Sequence, residues 1–171
     1  IKKVPRVSLG IWPTPLQPMQ RLGVKAGIPL FMKRDDLNGL GPGGNKVRSL
    51  EYLLYEARQN GADTVLASGP AQSNLCTLAA CAAAKLGMKA VLVHNAAAPS
   101  RFEGNALLNH LVGAESHYIG AGTTEFERAD RVAELEMGLR AEGREPYTVL
   151  LGASFCFRAR TGLTRRESDL P

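Results

Sequence analysis

From residue 45 onward, apolar positions fall into two alternating rhythms. Val47, Leu50, Leu54 and Ala57 recur at steps of three and four, which is one face of a helix. Gly61 follows at the place where a helix commonly closes on a left-handed residue. "DTVLAS" (63–68) and "KAVLVHN" (89–95) are short β-branched runs that predict strands. Between them, "LCTLAACAAAKLG" (75–87) has small side chains on almost every side, as in a helix packed closely on a sheet. "EGNALLNHLVG" (103–113) predicts another helix and "SHYIG" (116–120) another strand. Thr124 and Glu127 have capping-box spacing, and Phe126, Ala129, Val132 and Ala133 predict the inward face of the helix they open. "PYTVLLGAS" (146–154) adds a last strand. Strands of four to seven residues alternating with longer helices predict an α/β fold of βαβ units around a parallel sheet.

The first third is less regular and reads as loop, strand and turn. "PTPLQPM" (13–19) is too rich in proline for a helix interior. "IPLFMKRDD" (28–36) holds a short strand from Leu30 to Lys33, and a glycine-rich turn follows at 39–44. The last stretch, "FCFRARTGLTRRESDLP", has no period and is not expected to join the packed core.

Composition narrows the classes. The net charge of +5 would suit nucleic acid, but a part of the excess out of proportion to its length lies in the tail, where Arg158, Arg160, Arg165 and Arg166 face only Glu167 and Asp169. Elsewhere the two signs are interspersed, as on a solvated surface. No apolar run reaches the roughly 20 residues that span a bilayer. Cys76, Cys81 and Cys156 form an odd set without C-x-x-C spacing, which suits free thiols in a reducing compartment. His94, His110 and His117 lack zinc-ligand spacing, so no metal site is expected.

Two polar turns stand between a strand and a helix. In "GLGPGGNKV" (39–47), Asn45 can cap a helix whose first turn carries Lys46. A nucleotide P-loop needs Gly directly before Lys and Ser or Thr directly after it, and Asn45 and Val47 hold those places. Two readings remain from spacing. Lys46 is an exposed first-turn residue, or it is a nucleophilic amine at a place where the helix dipole and Arg48 both disfavour a positive charge. The second turn, "SGPAQSN" (68–74), puts Gln72, Ser73 and Asn74 at the carboxyl end of a strand, where open α/β sheets bind ligands. Taken alone it is equally a plain turn with Ser73 or Asn74 as cap.

"KRDDLNGLGPGGNKVRSLE", together with "QSN" before an Ala-rich helix, "PTPLQ" and "GNALLNHLVGAE", resembles the 1-aminocyclopropane-1-carboxylate deaminase / D-cysteine desulfhydrase family. These are pyridoxal 5'-phosphate enzymes of fold type II, the tryptophan-synthase-β-like group, and the likeness runs over residues 10–154. The resemblance implies that Lys46 forms the internal aldimine with the cofactor and that Asn45 supports its polar surroundings. It implies that Asn74 faces the cofactor ring and bonds its phenolic oxygen. Gln72 and Ser73 would take the substrate carboxylate, with Ser73 also moving a proton.

By the same likeness, residues 1–50 open a larger cofactor-binding domain, 51–150 form a smaller α/β domain, and 151–171 are a divergent tail. The implied activity is deamination or elimination on a small amino acid in the cytoplasm, with no nucleic-acid or membrane partner. A homodimer is implied for full-length members. The phosphate loop and substrate tyrosines of the family belong to a half that should follow Ser154, so the sequence resembles an N-terminal half with a truncated ending. Weak cofactor binding and impaired activity are expected of it. The alternative is a catalytically inactive α/β domain.

Overall fold

The computed structural model describes residues 4–149. The chain starts with strand β1 (Leu16–Pro18), helix α1 (Gln20–Ala26) and strand β2 (Phe31–Lys33). Helix α2 (Lys46–Gln59) leads into strand β3 (Thr64–Gly69), helix α3 (Asn74–Lys85) and strand β4 (Lys89–His94). Helix α4 (Gly104–Leu111), strand β5 (Glu115–Tyr118), helix α5 (Glu125–Ala141) and strand β6 (Pro146–Val149) complete it. The four strands β3 to β6 form one sheet in the order β5-β4-β3-β6, and every pairing is parallel. The predicted α/β architecture is therefore the observed one.

Alternation along the strands divides the core. Val65 and Ala67 of β3, Ala90 and Leu92 of β4, and Tyr147 and Val149 of β6 pack with α2 and α3. Leu66, Val91 and Val93 pack on the opposite face with Val132 and Leu139 of α5. The all-round small residues of α3 let it sit deep in the molecule, with Leu75 through Ala83 buried without a break. The predicted stripe of α2 is also found, since Val47, Leu50, Leu54 and Ala57 are all fully buried.

Two expectations need correction. The inward face of α5 is Arg128, Val132, Leu135 and Leu139, whereas Ala129 and Ala133 are exposed and Phe126 is 84% exposed. The helix is rotated because Arg128 lies inward, its guanidinium donating to Asn95 Oδ1 at 3.1 Å and to Glu125 Oε1 at 3.3 Å. The predicted capping box is present, with Thr124 Oγ1 accepting from Glu127 N–H. The first third also holds a β1–β2 antiparallel ladder and α1, where only loop, strand and turn were expected. At seven residues α1 is too short to show a period, and it carries a helix-weakening glycine. That glycine has a packing cause, because a Cβ on Gly23 would lie 2.9 Å from the Ile28 carbonyl oxygen.

The strand order places the site. The chain runs from β3 outward through β4 to β5, then crosses back to lay β6 on the other edge of β3. The turn after β3 leaves the carboxyl edge where that order reverses, which is where ligands bind in open α/β sheets. Among the described residues, no helix is long and apolar enough to cross a membrane. The residues proposed for the tail, 151–171, and Cys156 lie outside the described residues.

Candidate active site

The turn before α2 is fixed by its backbone. Asn38 is fully buried and its side-chain amide donates to the carbonyls of Asp35 (2.6 Å) and Gly44 (3.0 Å), while its Oδ1 accepts from Leu40 N–H at 3.1 Å. Gly44 N–H donates to the Asp35 carbonyl at 2.8 Å. The turn passes so close to residue 36 that a Cβ on Gly43 would stand 2.1 Å from the Asp36 carbonyl oxygen. Asn45 holds the cap position but in a helical conformation, and its side chain makes no cap bond. Val47 N–H donates instead to Gly44 O at 3.3 Å, which removes the need for one.

Lys46 thus opens α2 half-buried, its carbonyl accepting from the Ser49 hydroxyl at 3.3 Å and its amine without a hydrogen bond or ion pair to any described residue. Arg48, one of the two charges expected to bear on it, is turned to other partners. Its guanidinium grips both oxygens of Asp35 at 2.6 and 2.7 Å and lies 4.2 Å from the centre of the Trp12 ring. The Arg48 bonds, with help from the Thr14 hydroxyl, hold the Asp35 carboxyl at a pKa of about 2.

The turn before α3 has one backbone bond across it, from Ser73 N–H to the Pro70 carbonyl at 3.0 Å, and is otherwise fixed by side chains. Ser73 is the cap, its Oγ accepting from Cys76 N–H at 3.3 Å. Gln72 Oε1 accepts from the backbone N–H of Asn105 at 2.8 Å, and its Nε2 donates to the Glu103 carbonyl at 3.3 Å. Asn105 in turn donates from Nδ2 to the Gln72 carbonyl and to Asn74 Oδ1, both at 2.9 Å. Beneath the turn lies His94, fully buried at the end of β4. Its Nδ1 is 3.2 Å from the Gly69 carbonyl and 3.1 Å from that of Pro70. Two acceptors facing one nitrogen require that it carry the hydrogen. Burial lowers the pKa of this imidazole, which favours the neutral ring. Burial also pushes the Cys76 thiol, in the first turn of α3, up to about 11, so it is a packing group and not a nucleophile.

The two turns meet on α3. A Cβ on Gly41 would lie 2.7 Å from Cys81 Sγ, and one on Gly44 would lie 4.0 Å from Leu78 Cδ1. Leu78 is one helical turn from Asn74, so the start of α2 rests beside the start of α3. Lys46 and Asn45 follow directly on Gly44, which rests against Leu78 of α3 one helical turn beyond Asn74. The side chain of Gln72 reaches the other way, to the start of α4. Sequence reading missed Asn105 and the structural role of His94. "GN" at 104–105 could have signalled the first, since glycine next to an amide at a helix start often marks a tight contact.

The family model described as "Pyridoxal-phosphate dependent enzyme" matches residues 7–153. A Pyrococcus horikoshii protein provisionally named a 1-aminocyclopropane-1-carboxylate deaminase is 40% identical over 154 residues, covering 90% of this chain and 46% of its own length. A Methylobacterium nodulans 1-aminocyclopropane-1-carboxylate deaminase is 36% identical over 162 residues, covering 90% of this chain and 48% of that protein. The crystal structure of a homologue of that deaminase superposes with a TM-score of 0.81 at 37% identity, over 96% of this chain and 52% of that one. The chain therefore spans about half the length of the relatives it matches.

Proposed function

Since the chain belongs to the family of pyridoxal-phosphate dependent enzymes, we propose that it contributes to deamination or elimination on a small amino acid, with Lys46 as the covalent anchor of the cofactor. The observation that carries this is half-buried Lys46, its amine without a partner among the described residues, set at the end of a turn that rests against Leu78 and Cys81 of α3. The donor set fits the cofactor's ring end: an amine at Lys46, an amide at Asn74, and first-turn N–H groups of α3 with no helical acceptor. When bound, the cofactor supplies the electron sink for breaking a bond at the substrate's α-carbon.

In this reading Asn74 donates to the ring oxygen, and Asn45, with no cap bond to keep it, supports the polar surroundings of Lys46. Ser73 and the start of α3 receive the substrate carboxylate, as helix N-termini receive anions. The Ser73 oxygen accepts from Cys76 N–H, so its own hydrogen is available to donate or transfer. Gln72 joins through its place in the turn, because its side-chain amide is held by α4. The two chemistries in view are ring opening of 1-aminocyclopropane-1-carboxylate and thiol elimination from D-cysteine, and the names of the relatives favour the first.

We also propose that residues 1–50 belong to a larger cofactor-binding domain and 51–150 to a smaller one. A cytoplasmic setting is supported by the free thiols of Cys76 and Cys81. The small amino acid is the partner proposed; nothing in the polar turns calls for nucleic acid.

Pyridoxal phosphate added to the chain should develop a shifted absorbance band that Lys46→Ala abolishes. Borohydride reduction followed by peptide mass mapping should then place the cofactor on Lys46. A band that survives Lys46→Ala, or a label on another lysine, overturns the reading.

A further inference from the structure

The amide network between the two helix starts has a fixed polarity, and two backbone groups set it. The Asn105 N–H can only donate, so the Gln72 atom 2.8 Å away must be the oxygen, which leaves Gln72 Nε2 for the Glu103 carbonyl. The Gln72 carbonyl can only accept, so the Asn105 atom 2.9 Å away must be Nδ2. That nitrogen has a second hydrogen, and 2.9 Å from it lies the side chain of Asn74, which must therefore turn its oxygen inward. Asn74 is left with only hydrogens to present outward.

We infer that Asn105 is a positioning residue that forces Asn74 to present its NH2 group to the site, so that Asn74 recognises an electron-rich oxygen and rejects a donor. This rests on the reading that Asn74 faces the cofactor ring. Gly104 makes room for the clamp: a Cβ there would lie 2.7 Å from Gln72 Oε1, and its φ of +54° is one that other residues adopt at a cost. The bonds are exposed, so each adds little to stability. Their effect is on direction. A side-chain amide turned over would set its carbonyl against the ring oxygen and exchange attraction for repulsion.

The test uses the 171-residue chain with Asn105→Asp, Asn105→Ala and Asn74→Asp, and pyridoxal phosphate alone as the probe. Asn105→Asp replaces the donor with an acceptor, so Asn74 should reverse and donate inward to the new carboxylate. In cofactor-free NMR spectra, slowed exchange of side-chain amide hydrogens should then pass from residue 105 to Asn74. Cofactor affinity, read from the absorbance titration, should fall about tenfold in Asn105→Asp, the loss of one bond to a charged oxygen. Asn74→Asp should lose as much, since it keeps an acceptor toward Asn105 and gives up the outward donor. Asn105→Ala should fall between these and the unaltered chain, because Asn74 is then free to take either orientation.

Unchanged Asn74 exchange in Asn105→Asp overturns the inference. So does reversal without loss of affinity where Asn74→Asp does lose it. If the unaltered chain gives no band that depends on Lys46, the proposed function fails, and the exchange measurement decides on its own whether Asn105 sets Asn74.

Discussion

The turns before α2 and α3 look alike as sequence, each a glycine-bearing link with polar residues ahead of a helix, yet they are built in opposite ways. The first is closed by backbone bonds and one buried asparagine, and its outer side chains, Asn45 and Lys46, are left uncommitted. The second has a single backbone bond, Ser73 N–H to the Pro70 carbonyl, and is tied to its surroundings by side chains: Gln72, Ser73 and Asn74 each bond to a neighbour. A rigid backbone with a free side chain suits a residue that must form a bond of its own. A side-chain lattice suits residues that must present a fixed pattern of donors.

The largest effect should come from adding one methyl group to each turn. Gly43→Ala sets a Cβ against the Asp36 backbone at a φ of +71°, where neither party can yield, and should cost about 3–5 kcal/mol. Gly104→Ala meets only the flexible end of Gln72 and should cost about 1–2 kcal/mol. Urea melts of the two variants would rank them, and equal losses would remove the distinction between backbone-built and side-chain-built turns.

Next in size is Glu51→Ala, about 3 kcal/mol by the same assay. The Glu51 carboxylate is fully buried and accepts from Leu9 N–H, Gly10 N–H and the Trp12 indole at 3.0, 3.2 and 2.7 Å, with Arg6 3.3 Å away. Removing it strands those donors.

A smaller effect should appear in acid. The Asp35 carboxyl is depressed from 3.8 to about 2, so its stabilisation is complete above about pH 4 and is lost as pH falls through 2. Acid denaturation between those values should be steeper for the unaltered chain than for Asp35→Asn, and parallel curves would show that the Arg48 pair adds nothing to the first turn.

The smallest contrast is between the two caps. Ser73→Ala should lose about 1 kcal/mol, and Asn45→Ala should stay within about 0.5 kcal/mol, as no cap bond is lost. Reversal of that order in thermal melts would contradict the assignment of the caps.

The alternation of strands and helices after residue 45 was legible because each element is long enough to repeat its period and meets the sheet on one face. The stripe on α2 and the capping box on α5 followed from the same logic. The face of α5 did not, because Arg128 turns inward where a charge-averse pattern would turn Phe126. The β1–α1–β2 unit lacked enough residues for any period. At the site, the residue types that gather at helix starts were visible in sequence. Their partners were not: Asn105 lies 31 residues beyond Asn74, and no local pattern tells an amide which carbonyl it will meet.

Leu9 has a role larger than its place in an irregular segment suggests. Its N–H is bound by Glu51 of α2 and its carbonyl receives Lys85 Nζ of α3 at 2.7 Å, with the side chain 1% exposed between them. One peptide backbone thus ties together the two helices that carry the site. Glu51 lies about 140° around the α2 axis from Lys46. Any torque that rolled α2 to re-aim the lysine would drag this tie and pull on α3. The roll of α2 and the seat of the far end of α3 are therefore coupled mechanically through a residue that belongs to neither helix.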